Sequence, residues 1–343
     1  MRITRACPSE SHLLFADDSI FFCKAELREC EEVMKVVRMY GKASGQCINF
    51  DKSSLLFGKR INAISRQEIK DVLGKQNEGG MGTYLGIPED ISGSKCKLFV
   101  FLKDKLMHRV NGWTSRWLWK GGKEVLIKSI LLALPTYVMS TFLLPLETCE
   151  NLARAIAQFW WSSNPPKRGI HWAKWEKVSL PREEGGIGFR LIYEFNLALL
   201  AKQLWRLVQF PDSLVARVLR GRYYRLSSPL RVISVNSPSY VWTRISAARK
   251  LLMLGIRQKI YSGYEVKVWE DLWIPTTFAR PAITVALVMN PNMRVSDLIN
   301  QESNDWDASL LENYVNMDDI PLIRSLSISS AHRRHFLLEL HKE

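Results

Sequence analysis

HLLFADDSIFF, running from His12 to Phe22, sets two apolar stretches on either side of the adjacent carboxylates Asp17 and Asp18. Apolar runs that resume after two turn-forming residues predict an antiparallel hairpin with the aspartates at its turn. Burying either charge without a partner is costly, so the pair is expected at a solvent-accessible edge that a cation can reach. Working outward, Leu27, Cys30, Val33, Met34, Val37 and Tyr40 recur at helical spacing between Glu26 and Ser44, and the pattern stops between Gly41 and Gly45. Gln46 to Phe50, the turn Asp51-Lys52-Ser53, and Ser54 to Phe57 then predict a second hairpin. Hairpin, helix, hairpin is the second half of an α+β sandwich. Two hairpins alone leave an open sheet edge, which natural domains normally cover.

The whole chain has 343 residues, 47% hydrophobic and 24% charged, which excludes a disordered or fibrous protein and suits about two domains. Lys and Arg exceed Asp and Glu by 14, a surplus that points to polyanionic partners, nucleic acid before a membrane surface. The surplus is localised: residues 1–110 have a balance of +4, residues 111–260 of +15 and residues 261–343 of −5. Eleven of the twelve tryptophans lie between Trp113 and Trp273, largely within the basic block. Cations that neutralise phosphate, interleaved with rings that stack on bases, are the footprint of a nucleic-acid surface.

Other features point away from alternative classes. The six cysteines (Cys7, Cys23, Cys30, Cys47, Cys96 and Cys149) form no C-x-x-C, so a disulfide framework or zinc ribbon is not expected and a reducing compartment fits better. His332, His335 and His341 have a spacing that a helix could turn toward one metal, but no further ligand completes a signature. The N-terminus has no long apolar core and is not a secretory signal; Arg2 and Arg5 are compatible with a transit peptide too short to argue from. Ser129 to Leu146 runs without a charge, but Pro135 interrupts it and hydroxyl residues dilute it, so it reads as a buried helix ending near Leu134 and a second apolar segment, not a membrane span. Gly185-Gly186-Ile187-Gly188 lacks the ending of a phosphate loop and reads as a turn. It precedes a helix from Asn196 to Val208 with Leu197, Leu200, Ala201, Leu204, Trp205 and Val208 on its core face and Lys202 and Arg206 outside. Asp305, Asp307, Asp318 and Asp319 have no paired spacing that suggests catalysis.

HLLFADDSIFF, the following helix and GKASGQCINFDKSSLLFG (Gly41 to Gly58) resemble the last part of the palm in reverse transcriptases of plant LINE-type, non-LTR retrotransposons. The similarity continues through GTYLGIP (Gly82 to Pro88), RVNGW (Arg109 to Trp113), KGGKEVLIKSILLALPTYVMS (Lys120 to Ser140), FWWSS (Phe159 to Ser163), GGIGFR (Gly185 to Arg190), LLAKQLWRL (Leu199 to Leu207), RYYR (Arg222 to Arg225) and VWEDLWIP (Val268 to Pro275). It covers roughly residues 5 to 325; each motif alone is weak, and their order and spacing carry the resemblance. The fold it implies is α+β, mostly α: partial palm hairpins, then a helical thumb and a helix-rich C-terminal region. In these terms residues 1–58 are partial palm, 59–150 a primer-grip-like hairpin and thumb, 151–325 a basic Trp-rich connector, and 326–343 a divergent tail.

The resemblance also implies chemistry. In the family the aspartates of the A-D-D turn face two Mg²⁺ ions that drive in-line nucleotidyl transfer, so Asp17 and Asp18 are the implied catalytic and metal-binding residues, with Asp17 the better direct ligand. Mg²⁺, a hard cation, suits carboxylate oxygens completed by phosphate and water. Lys52 falls where the family has a lysine after I-N-x-x-K, placed to protonate leaving pyrophosphate. Tyr84, Leu85 and Gly86 match a hairpin resembling the primer grip, with Gly86 allowing close backbone approach. Residues 95–150 resemble the thumb, helical with Gly112, Gly121 and Gly122 as breaks, and Lys120, Lys123 and Lys128 are candidates for contact with the template–primer backbone.

In the family another palm aspartate and the fingers precede this hairpin; here only Glu10 offers an upstream carboxylate. A metal corner without its partner strand binds weakly and positions little, and positioning is most of phosphoryl-transfer catalysis. The expected function is therefore a fragment of an RNA-directed DNA polymerase, inactive alone; the alternative is a non-enzymatic nucleic-acid-binding protein derived from a retrotransposon. Expected partners are RNA, DNA or an RNA–DNA duplex, with dNTP only in the intact family enzyme and no membrane. The family favours the nucleus, with an organelle as the alternative.

Overall fold

A computed structural model describes residues 3–58, 60–76, 78–79, 83–88, 93–112, 118–162, 170–225, 227–231, 235–285, 290–300, 302–303 and 305–328, and the backbone of 335–338. Arg2, Gly82, Trp113, Ser163, His332, His341 and the side chain of His335 lie outside the described residues. In chain order the strands and α-helices are β1 (His12–Phe15), β2 (Asp18–Phe21), α1 (Leu27–Ser44), α2 (Ala63–Leu73), β3 (Thr83–Tyr84), β4 (Ile87–Pro88), α3 (Lys95–Leu98), α4 (Val100–Gly112), α5 (Lys120–Leu126), α6 (Thr136–Met139), α7 (Leu146–Trp161), α8 (Trp175–Ser179), α9 (Ile192–Gln209), α10 (Leu214–Tyr223), α11 (Tyr240–Ala247), α12 (Arg249–Gly255), β5 (Ile256–Lys259), β6 (Ile299–Asn300), β7 (Asp305–Trp306), α13 (Ala308–Tyr314), α14 (Ile320–Arg324) and β8 (His335–Leu338). The protein is α+β and mostly α. Among the described residues the strands form only two-stranded antiparallel pairs, β1 with β2, β3 with β4, β5 with β8 and β6 with β7. No helix among the described residues is long and apolar enough to cross a membrane.

The chain folds as two compact units. The first comprises Met1–Val138, Leu144–Tyr193 and Leu214–Leu226, the second Met139–Leu143, Glu194–Ser213 and Ser227–Glu343.

In the first unit, α1 covers the stripe Cys30, Val33, Met34 and Val37 and leaves Met39 and Tyr40 exposed. Gly45 ends it in the left-handed region (φ +75°), its N–H donating to the Gly41 carbonyl, as a C-terminal glycine does without steric penalty. Gly41 itself lies inside the helix, where a Cβ would come 2.8 Å from the Gln46 carbonyl oxygen. The second hairpin expected over Gln46 to Phe57 does not form. The Asn49 side chain instead accepts from the Asp51 and Lys52 N–H groups, both at 3.1 Å, and closes a local turn. Leu55 then makes a parallel bridge to Glu78. An Asx-type turn satisfies the backbone donors that a ladder would have used.

The core of this unit lies where α4 and α5 meet α7, with Phe99, Leu102, Leu106, Ile127, Leu131, Leu152 and Ile156 buried. Gly121 and Gly122, expected as breaks, sit in the first turn of α5, where the N–H groups lack intrahelical partners in any case. The helix continues as a π-helical segment over Ile127–Leu131, and turns carry the chain to Pro135. Gly185 to Gly188 is a turn, as expected: Gly186 N donates to Pro181 O and Gly188 N to Leu180 O. A Cβ on Gly186 would fall 1.9 Å from the Leu180 carbonyl oxygen. Gly186→Ala is therefore expected to destabilise this unit by about 1–3 kcal/mol, read as a lowered denaturation midpoint; an unchanged midpoint refutes the close-approach account.

In the second unit α9 buries Leu200, Ala201, Leu204 and Leu207 and exposes Lys202 and Arg206. Leu197, Trp205 and Val208 are half-buried. Asn196, fully buried, donates to the Met139 and Phe142 carbonyls at 2.7 and 2.9 Å. A separate core gathers around Trp273 with Val268, Ile274, Leu298, Leu311 and Ile323, and its indole N–H donates to Val268 O at 2.9 Å. Pairing the indole N–H makes complete burial of the ring tolerable.

Candidate functional site

The aspartate hairpin forms with His12 opposite Phe21 and Phe15 opposite Asp18. Ala16 and Asp17 make its two-residue turn, and Ala16 takes φ +50°, the positive φ that such turns require. Asp17 therefore stands at the tip and Asp18 begins the return strand; both are exposed. So are Leu14 and Phe15, at 64% and 62%. The hairpin projects its carboxylates as the sequence pattern demands, but among the described residues no group of three or more His, Cys, Asp or Glu side chains could hold a metal ion. Two exposed carboxylates at a turn would supply two of the oxygens a Mg²⁺ ion takes, and among the described residues no third such ligand joins them.

Lys52 sits exposed in the Asn49 turn, and among the described residues no hydrogen bond or ion pair joins it to Asp17 or Asp18. Tyr84 and Gly86 belong to the short β3–β4 hairpin, whose turn residues Leu85 and Gly86 have φ +50° and +75°. Nothing lies within 4 Å of where a Gly86 Cβ would stand. The glycine is needed here for its backbone angle and not for space.

Lys120, Lys123 and Lys128, the lysines that the resemblance marks, have structural partners. Lys123 is 3% exposed, and its ammonium donates to the Phe159 carbonyl at 3.1 Å and to the Ser162 carbonyl. Lys120 donates to the Trp160 carbonyl at 2.7 Å and lies 4.5 Å from the centroid of the Trp160 ring. Burial pushes both lysines below their usual pKa, and for Lys123 the neighbouring Lys120 charge adds to this. Together they close the C-terminus of α7, where carbonyls lack helical partners and the dipole favours cations. Lys128 donates to Glu124 and to the Ile187 carbonyl, each at 2.7 Å. Hydrogen bonds from Lys128 and Arg182 hold the Glu124 carboxyl below its usual pKa. Lys123 is thus withdrawn from any surface ligand, and the spacing of these lysines serves packing within the basic block.

Unneutralised charge appears instead on and just after α10, inside the basic block that the sequence marks as a nucleic-acid footprint but without singling out this helix. Arg217, Arg220, Arg222 and Arg225 are exposed, and among the described residues no carboxylate pairs with them. By contrast Arg231 is held by Glu270 and Asp271. The N-terminal segment fastens α10: Thr4 Oγ1 donates to Gly221 O at 3.1 Å and Cys7 Sγ to Val218 O at 3.3 Å. A Gly221 Cβ would stand 2.7 Å from the Ala6 carbonyl oxygen. Tyr224, its hydroxyl donating to Ala216 O, seats the end of the helix, and burial pushes its pKa up to about 12 against the opposing charge of Arg220. The sequence signal for this surface is the absence of any Asp or Glu from residue 213 to residue 264.

No protein-family model matches the chain. It is 44% identical over 144 residues to the uncharacterized mitochondrial protein AtMg00310 of Arabidopsis thaliana, a match that covers 42% of this chain and 94% of that protein. The chain belongs to the family of that plant mitochondrial protein. It is also 32% identical over 174 residues to At1g65750 of the same plant, whose name proposes it as a ribonuclease H protein. That match covers 50% of this chain but only 28% of the relative.

Proposed function

We propose that the chain is the palm end, thumb and connector of a reverse transcriptase from a LINE-type, non-LTR plant retrotransposon, and that on its own it holds nucleic acid without copying it. The observation that carries this reading is the A-D-D turn: two carboxylates at the exposed tip of an antiparallel hairpin, followed by α1 and by the ordered motifs of the resemblance. In this reading residues 1–58 are the end of the palm, 59–150 the thumb region and 151–325 the connector. A relative whose name proposes ribonuclease H fits the same setting of RNA–DNA chemistry. The exposed arginines of α10 favour the second reading, a non-enzymatic nucleic-acid binder of retrotransposon origin, as the present role of the chain.

Copying requires a primer hydroxyl, a metal and a triphosphate held in line. Asp17 and Asp18 alone do not hold them. The purified chain, given a primed RNA template, dNTPs and Mg²⁺, is therefore expected to incorporate no labelled nucleotide above background. Incorporation that disappears in Asp17→Ala would reverse this conclusion, because it would require a complete metal site at the hairpin tip.

A further inference from the structure

We propose that Trp119 and Trp172 form a stacking ledge for the unpaired bases of a single-stranded nucleic acid, which adds a ligand class to the nucleic-acid reading above and rests on it. The two indoles are 87% and 81% exposed. Tryptophan is on average among the more buried residues, since its ring carries a large apolar area. Chain adjacency and ring contacts together connect them within the first unit. Trp119 precedes Lys120, whose ammonium lies 4.5 and 4.9 Å from the Trp160 and Trp161 ring centroids. Trp161 stacks on His171, with centroids 6.0 Å apart and planes 28° from parallel, and His171 precedes Trp172.

The neighbouring rings are packed on one another. Trp160 meets Phe189 edge-on at 5.3 Å, and Trp175 stacks on the same ring at 5.2 Å and 15°. A Trp side chain has only two rotatable side-chain bonds, so ordering Trp119 and Trp172 against a base costs little entropy. The ledge lies in the part of the sequence with a balance of +15, which complements a polyanion. Lys120 and Lys123 give their ammonium groups to α7 carbonyls, so the ledge offers ring faces more than phosphate contacts. Ring faces are open to a protein only where bases are unstacked; a duplex presents edges and backbone. An unpaired strand is therefore the ligand that the ledge fits.

The test uses the whole chain and labelled oligo(U) and oligo(dT) of about 20 nucleotides at low salt, with an RNA–DNA duplex of equal length alongside. Each of Trp119→Ala and Trp172→Ala is expected to weaken single-strand binding about tenfold and to leave duplex binding within about twofold. Phe at either position should keep most of the affinity, while Leu, apolar but not aromatic, should bind as poorly as Ala. Single-strand affinity unchanged in the Ala variants overturns the ledge and leaves the nucleic-acid reading standing. Leu restoring affinity as well as Phe also overturns it, since that marks a general apolar docking face such as a protein partner would use. Wild-type chain that binds neither single strands nor duplex overturns both.

Discussion

Binding of the chain to an RNA–DNA duplex is expected to weaken about 150-fold between 50 and 200 mM monovalent salt, taking four phosphate contacts and a slope of about −0.9 per contact. The four contacts are Arg217, Arg220, Arg222 and Arg225, exposed on and just after α10 with no carboxylate paired to them among the described residues. Cations already spent on protein partners release few counterions. That removes Lys123 and Arg231 from the count, one on carbonyls and the other between two carboxylates. Arg217→Gln combined with Arg220→Gln should lower the magnitude of the slope by about 2. Measuring affinity by anisotropy across four salt concentrations gives both numbers. A slope unaltered by the double substitution would exclude α10 as the phosphate-binding surface.

Asp319→Ala is expected to destabilise the second unit by about 3–5 kcal/mol, the range for removing one partner of a buried ion pair. Asp319 is fully buried. Its carboxylate accepts from both Arg280 terminal nitrogens, one at 2.9 Å, and from the Ile283 N–H at 2.9 Å. Burial alone would raise its pKa, but the Arg280 hydrogen bond, the Ile283 N–H and the Arg280 charge outweigh it and hold the carboxyl below its usual value. A depressed carboxyl stabilises the fold above its unfolded pKa of about 4, and that stability is lost as pH falls toward the folded value. Wild type should therefore lose stability on acidification below about pH 4, and Asp319→Ala should lose less of it over the same window. Hydrogen exchange of residues 260–326 separates this unit from the rest of the chain. Equal protection in wild type and variant would show that the pair contributes little.

What could be read from the sequence was local. The aspartate hairpin, α1 and the α9 helix follow from periodicity and turn chemistry within about twenty residues, and the structure has all three. The second hairpin does not form because the Asn49 side chain competes for backbone donors, an effect that apolar patterning does not register. The roles of Lys120 and Lys123 were hidden for another reason. Their carbonyl partners lie 36 to 40 residues further along the chain, and a lysine in a basic block looks the same whether its ammonium faces solvent or a helix end. The pairing of Arg280 with Asp319, 39 residues apart, was equally out of reach, although both residues stood in plain view. Of the candidate site, the carboxylates and the basic block as a whole were legible; which of its cations stay unpaired was not, because that depends on partners distant in the chain.

Residues 4–7 fasten α10 through Thr4 and Cys7, and a few residues later the same stretch leads into β1 and the aspartate tip. One stretch of backbone thus serves as a common tether for the exposed aspartate turn and the arginine-bearing helix. Loosening residues 4–7 would therefore slacken both at once, so a change there is felt at two places far apart in the sequence.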